Sequence, residues 1–207
     1  PREYIFIVDV SGSMMGFPID VTKSLLKNLL VDLKQTDVFN ILLFSAENKV
    51  FQNSPVYANE ENIKKALQFL KGTFSNYGKG THLLDALKKA YQLPRKINTS
   101  ARTMVVITDG YVTVEKEVFQ LIENNLNKAN VVSFGIGNGV NRFLIEGMAK
   151  VGQSNSFIAT SEEEAYRVSK TFKKYISSPL LTQIKLKQNN FEMYDISPKS
   201  IPDVFSD

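Results

Sequence analysis

Two kinds of apolar run alternate along the chain. Apolar-rich stretches with β-branched and aromatic residues occupy 4–8, 38–44, 103–108, 131–136 and 156–159, each bounded by polar or glycine residues. The first is continuous and reads as a strand buried on both faces, the environment of a parallel sheet, and the others read as further strands. Between them, apolar positions recur every three or four residues. Leu26, Leu29, Leu30 and Leu33 do so after Pro18, and the same spacing returns over 60–70, 83–93, 115–126, 142–151 and 162–176. Each such stretch predicts an amphipathic helix. Pro18 suits a first helical turn, where its missing N–H would have no partner anyway. Residues 49–52 follow the second strand after a tight connection, which predicts an antiparallel partner at a sheet edge.

Strands alternating with helices imply right-handed crossovers and a mostly parallel sheet covered on both faces. The expected fold is α/β and doubly wound, Rossmann-like, with six strands, one of them an antiparallel edge strand, and helices on both faces. After Pro179 the pattern changes. Residues 182–187 alternate polar with apolar, no helical spacing follows, and Pro198 and Pro202 punctuate what remains. The chain therefore divides into one domain over 1–178 and, over 179–207, a short β-type tail that reads as the start of a truncated β-rich module or a linker. A length of 207 residues, about 1.4 average domains, agrees with one domain plus a remnant. Because the sequence begins with Pro1 and not Met, it is expected to be a piece of a longer protein.

Composition narrows the function classes. At 43% hydrophobic and 22% charged the chain can bury a sizeable core and is neither disordered nor fibrous. The net charge is +4, and the basic residues (Lys23, Lys27 and Lys34; Lys64, Lys65 and Lys71; Lys88 and Lys89) fall on helical faces as solvated positions do. No basic and aromatic interleaving of a nucleic-acid module is present, so no nucleic-acid partner is expected. No apolar run approaches the roughly 18 residues of a membrane span, so this segment is not expected to insert into a bilayer. There is no cysteine, which removes disulfides, thiolate metal sites and thiol nucleophiles. The single histidine, His82, reads as a surface group rather than a ligand or a base. Gly135-Ile136-Gly137-Asn138-Gly139 departs from dinucleotide-loop spacing and reads as a turn after a strand.

In an open α/β sheet, ligands bind beyond the carboxyl ends of the strands, where the strand order reverses. The first strand ends in Asp9-Val10-Ser11-Gly12-Ser13, offering one carboxylate and two hydroxyls at alternate positions. The run 103–108 ends in Asp109-Gly110, a second carboxylate at the same edge if the two strands are neighbours. Two converging carboxylates repel unless a cation lies between them. A donor set of oxygens alone selects a hard divalent ion, with Mg²⁺ or Mn²⁺ suiting an octahedral shell of hydroxyls and waters and Ca²⁺ as an alternative.

Three segments taken together carry a resemblance. Asp9-Val10-Ser11-Gly12-Ser13-Met14, Gly78-Lys79-Gly80-Thr81 and Ile107-Thr108-Asp109-Gly110 resemble, in order, the metal-ion-dependent adhesion site of von Willebrand factor type A domains. The likeness covers about residues 3–176. Phe134-Gly135-Ile136-Gly137, Asn141-Arg142-Phe143-Leu144 and the tail segments 178–182 and 201–205 are similar to the inter-alpha-trypsin inhibitor heavy-chain branch and its bacterial relatives. The resemblance implies that Ser11 and Ser13 ligate the metal directly, that Thr81 joins them when a ligand is bound, and that Asp9 and Asp109 act through water or hydrogen bonds. His82 stands where the family usually has Asn, a departure that touches loop packing and ligand choice.

Mostly neutral hydroxyls around the ion would leave it positive at an open position, so the implied partner is a protein presenting Asp or Glu. A non-enzymatic, adhesion-type binding module at a cell surface, in a periplasm or secreted is the expectation. Two alternatives stand beside it: a Mg²⁺-dependent phosphoryl-transfer enzyme with Asp9 as nucleophile, and a scaffold whose site is non-functional. Met14, Met15 and Phe17 are candidates either for packing under the metal loop or for its rim, as are Tyr111 and residues 74–77.

Overall fold

Seven strands of the chain join in one sheet, and alternation along each strand decides which helices it meets. The computed structural model describes residues 1–73, 79–98, 100–110, 112, 114–177, 179–181, 184, 194 and 204–205. In chain order the elements are β1 (Glu3–Asp9), a 3₁₀ turn (Gly12–Met14), α1 (Phe17–Val31), β2 (Val38–Phe44), β3 (Asn48–Val50), β4 (Val56–Tyr57), α2 (Glu60–Thr73), α3 (Leu83–Gln92), β5 (Arg102–Thr108), α4 (Glu115–Glu123), β6 (Asn130–Ile136), α5 (Arg142–Val151), β7 (Ser156–Ala159), α6 (Glu162–Ser177), β8 (Pro179–Leu181) and β9 (Val204–Phe205).

The strand order is β3-β2-β1-β5-β6-β7. β1, β2, β5, β6 and β7 are mutually parallel, whereas β3 and β4 both pair antiparallel with the outer edge of β2. The doubly wound α/β reading is borne out, with helices on both faces and an antiparallel edge. The seventh strand is the two-residue β4, too short for alternation to announce it.

β1, β2, β5 and β6 are buried at every position, as strands covered by helices on both faces require. Their side chains divide by period two. Tyr4, Phe6, Val8, Phe39, Ile41, Leu43, Val105, Ile107, Val132 and Phe134 pack on one side with α1, α2 and α6, through Leu26, Leu30, Ala66, Leu70 and Phe172. Ile5, Ile7, Leu42, Phe44, Met104, Val106 and Val131 pack on the other with α3, α4 and α5, through Leu83, Leu87, Val118, Ile122, Leu144 and Met148.

β1 lies between β2 and β5, so the connections leave it in opposite directions across the sheet. The crevice at that reversal lies beyond Asp9, the last residue of β1. In the tail, β8 and β9 pair antiparallel as a separate two-stranded sheet; the alternating stretch 182–187 falls, apart from Ile184, outside the described residues.

Candidate metal centre

Register alone brings the first and third predicted segments together. β1 and β5 pair in parallel with Val8 opposite Ile107, so Asp9 and Thr108 end adjacent strands. Asp9 follows Ile5 and Ile7 in the alternation and Thr108 follows Met104 and Val106, which puts both on the α3 to α5 side of the sheet.

The Asp9 side chain is wholly buried. Its Oδ1 accepts the Ser11 N–H at 2.8 Å, and its Oδ2 accepts the Thr108 hydroxyl at 2.6 Å. Both donors are neutral, and among the described residues no basic side chain pairs with it. Burial is therefore the dominant influence on its acidity, partly offset by these hydrogen bonds and reinforced by the nearby charge of Asp109. The carboxyl is pushed up from 3.8 to about 6.

The bond from the Ser11 N–H turns the chain outward after β1 and presents the two hydroxyls. Ser11 Oγ and Ser13 Oγ stand 3.0 Å apart in a hydrogen bond, Ser11 buried at its base and Ser13 exposed. Met14 is fully buried and packs beneath this loop, whereas Met15 is 59% exposed.

Thr108 has a second role. Its hydroxyl accepts the Gly110 N–H at 2.9 Å while donating to Asp9, and so fixes the turn that carries Asp109. Gly110 has φ +85°, and a Cβ there would sit 3.0 Å from that of Asn141, so the turn requires glycine on both conformational and steric grounds. Asp109 is 6% exposed. Its carbonyl accepts the Asn141 N–H at 3.0 Å, and its Cβ lies near Gly137, which also borders Pro18 at the start of α1. The second acid thus lies on the side of β6 and α1.

Thr81 reaches the same edge by way of β2. Asp9 is in register with Phe44, and Val10 N–H donates to the Phe44 carbonyl at 2.8 Å. The next residue, Ser45, accepts the His82 N–H at 2.8 Å, which holds the start of α3 beside the end of β2. Thr81 is half-buried there and has no hydrogen-bond partner among the described residues. His82 is exposed, its imidazole lying against Gly80. Asp9, Ser11, Ser13 and Thr108 form one hydrogen-bonded group, Asp109 follows directly, and Thr81 is brought to the same sheet edge without bonding to them. Gly78, Tyr111 and residues 74–77 lie outside the described residues.

The donor chemistry fits a hard divalent cation. Two carboxylates and three hydroxyls are all oxygen donors, and an acid buried without a positive partner is the environment a cation would relieve. Ser11, Ser13 and Thr81 are the hydroxyls that would hold it, with Asp9 and Asp109 behind them. Sequence reasoning assigned no role to Thr108 or Asn141. A hydroxyl immediately before Asp-Gly at a strand end was the available signal for the first; Asn141 gave none, because its bond to Asp109 is made by its backbone N–H.

Comparison with known proteins agrees with this architecture. The family model of the von Willebrand factor type A domain matches residues 2–156. The chain is 26% identical to the inter-alpha-trypsin inhibitor heavy chain H3 of Bos taurus, covering 97% of this chain and 24% of that protein. It is 30% identical to a von Willebrand factor A domain-containing protein of Dictyostelium discoideum, covering 99% and 22% respectively. The chain thus spans about a quarter of the length of these curated relatives. Among solved structures, a conserved hypothetical protein BatB from Bacteroides thetaiotaomicron shares the fold at a TM-score of 0.70 and 18% identity, covering 84% of this chain and 98% of that one. A von Willebrand factor type A protein from Catenulispora acidiphila does so at 0.73 and 16%, covering 84% and 42%. With three quarters of its length matched by the family model, and strand order and helices to suit, the chain belongs to the von Willebrand factor type A domain family.

Proposed function

We propose that this domain, one of a family whose members typically mediate protein–protein interaction, is a divalent-metal-dependent binding module that captures an Asp or Glu side chain of a partner protein. The observation that carries this reading is the pairing of a buried, doubly hydrogen-bonded Asp9 with two hydroxyls, Ser11 and Ser13, that emerge 3.0 Å apart at the mouth of the crevice. Asp9 fixes the loop and supplies charge from behind. Ser11 and Ser13 present neutral oxygens in front. Asp109, beside Gly137, adds the second negative charge at the flank.

When bound, Mg²⁺ or Mn²⁺ would supply a Lewis-acidic position open to an external carboxylate. Neutral ligands in front and carboxylates behind favour that affinity, because the ion is held without being fully neutralised where the partner arrives. The phosphoryl-transfer alternative requires Asp9 as nucleophile, and a side chain with no exposure and both oxygens engaged is poorly suited to attack. We place the domain at a cell surface, in a periplasm or in a secreted protein. Among the described residues no helix is long and apolar enough to cross a membrane.

Calorimetric titration with Mg²⁺ and with Mn²⁺ tests the metal directly. Saturable binding to the wild type that is lost in Ser13→Ala and Asp109→Ala is the expected outcome. Equal heats from wild type and both variants would overturn it.

A further inference from the structure

The connection from β6 to α5 approaches the metal-site segment at one end and is hydrogen-bonded to it at the other. A Cβ on Gly137 would lie 4.0 Å from that of Asp109 and 3.4 Å from Pro18 Cγ, and Asn141 N–H donates to the Asp109 carbonyl at 3.0 Å. Between these points, Asn138 and Gly139 are both exposed, in a turn. They form the single Asn-Gly step in the sequence. Among the described residues the Asn138 amide has no hydrogen-bond partner. Its neighbour Asn141 differs, donating to Glu115 at 3.2 Å and accepting from the Leu144 N–H at 3.1 Å. The related Asp109-Gly110 step is protected as well, since Asp109 is buried and Gly110 N–H is held by Thr108.

We infer that Asn138-Gly139 is a self-modification site that converts a neutral rim of the metal crevice into an acidic one. A glycine after asparagine leaves the following peptide nitrogen unshielded by a Cβ. That nitrogen, its proton passing to solvent base, attacks Asn138 Cγ. The new N–Cγ bond forms, the Cγ–Nδ2 bond breaks, and ammonia departs to leave a five-membered succinimide. Water then opens the ring at either carbonyl, giving aspartate or isoaspartate. Nothing is oxidised or reduced; one water is consumed and one ammonia released.

The consequence for binding rests on the function proposed above. A carboxylate on this loop adds negative charge beside Asp109, which strengthens the hold on a cation and opposes an incoming acidic side chain. Because the loop is exposed, the effect is several-fold and weakens as salt is added. The loop would act as a slow timer on partner capture, set by age and by alkaline conditions rather than by an enzyme.

Ageing of the whole chain at mildly alkaline pH, followed by peptide mapping with isoaspartate detection, tests the chemistry. Acid should accumulate at position 138 before any other asparagine, be absent in Asn138→Gln, and slow by at least an order of magnitude in Gly139→Ala. Acid appearing first elsewhere, or at equal rate in Gly139→Ala, overturns the assignment. Titration of Asn138→Asp with Mg²⁺ alone tests the coupling. Affinity several-fold above wild type, with Asn138→Gln unchanged, supports it, and equal affinity of all three overturns it. If the wild type binds no Mg²⁺, the metal reading and its coupling fail together, while the mapping result still decides the modification.

Discussion

Asp9 is held in place by its neighbours without being neutralised by them, and its pH behaviour follows. Its carboxyl is raised from 3.8 to about 6, chiefly by burial. The native state therefore favours the protonated form. That contribution to stability is fully present below about pH 4 and is lost as pH rises through about 6. In chelator, urea denaturation of the wild type should show a decline of up to roughly 3 kcal/mol across this window relative to Asp9→Asn, and parallel curves for the two proteins would refute the assignment. Thr108 offers a second test, since its hydroxyl donates to Asp9 and accepts from Gly110. Thr108→Val keeps the shape and strands both partners, so it should cost about 1–3 kcal/mol and weaken Mg²⁺ binding, with denaturation and calorimetry as the measurements. Asp9, Ser11, Ser13 and Asp109 were legible in the sequence because oxygen-bearing residues crowd two strand ends. The bridge made by Thr108 was not, because its partner lies 99 residues away and only strand register makes them neighbours.

Among the elements, those with the clearest apolar pattern were the most legible. β2, α5 and β7 match the predicted bounds residue for residue, since apolar-rich runs bounded by polar residues mark the strands and helical spacing marks the helix. The outer edge of β2 was the least legible. Asn40 lies between its two short partners and bonds through its side chain to Gln52, accepting from the N–H and donating to the carbonyl, so that a side chain replaces a rung of the backbone ladder. Nothing in a polar residue within an apolar run announces such a substitution. Helix packing gives a further expectation. A Cβ on Gly152, at the end of α5, would meet the Val131 and Met148 carbonyl oxygens at 2.5 and 2.7 Å, both backbone. On Gly147 it would meet the end of the Phe119 ring, which can move. Gly152→Ala should therefore cost about 1–3 kcal/mol. Gly147→Ala should cost less because alanine favours the helix. Denaturant midpoints of the two variants that rank in reverse order would contradict this packing.

At the scale of the whole molecule, bound Mg²⁺ should stabilise the fold by mass action. Saturation at about a hundred times Kd adds roughly 2.7 kcal/mol, visible as a rise in thermal midpoint that chelator reverses and Ser13→Ala abolishes. Where in the molecule that gain is felt depends on β1, which carries an acid at each end. Glu3 is fully buried at one end, and Arg102 donates to it at 2.7 Å, with Arg95 3.6 Å away. Asp9 occupies the other end with, among the described residues, neutral donors only. One terminus of the strand is thus sealed with cations of the protein's own making, and on the proposed reading the other would borrow its counter-charge from the surroundings. Amide exchange along β1 and β5 should accordingly slow on Mg²⁺ addition in a graded way, most near Thr108 and least near Arg102. Such a gradient would make a strand at the heart of the sheet report, from one end only, on the ionic composition of the fluid outside.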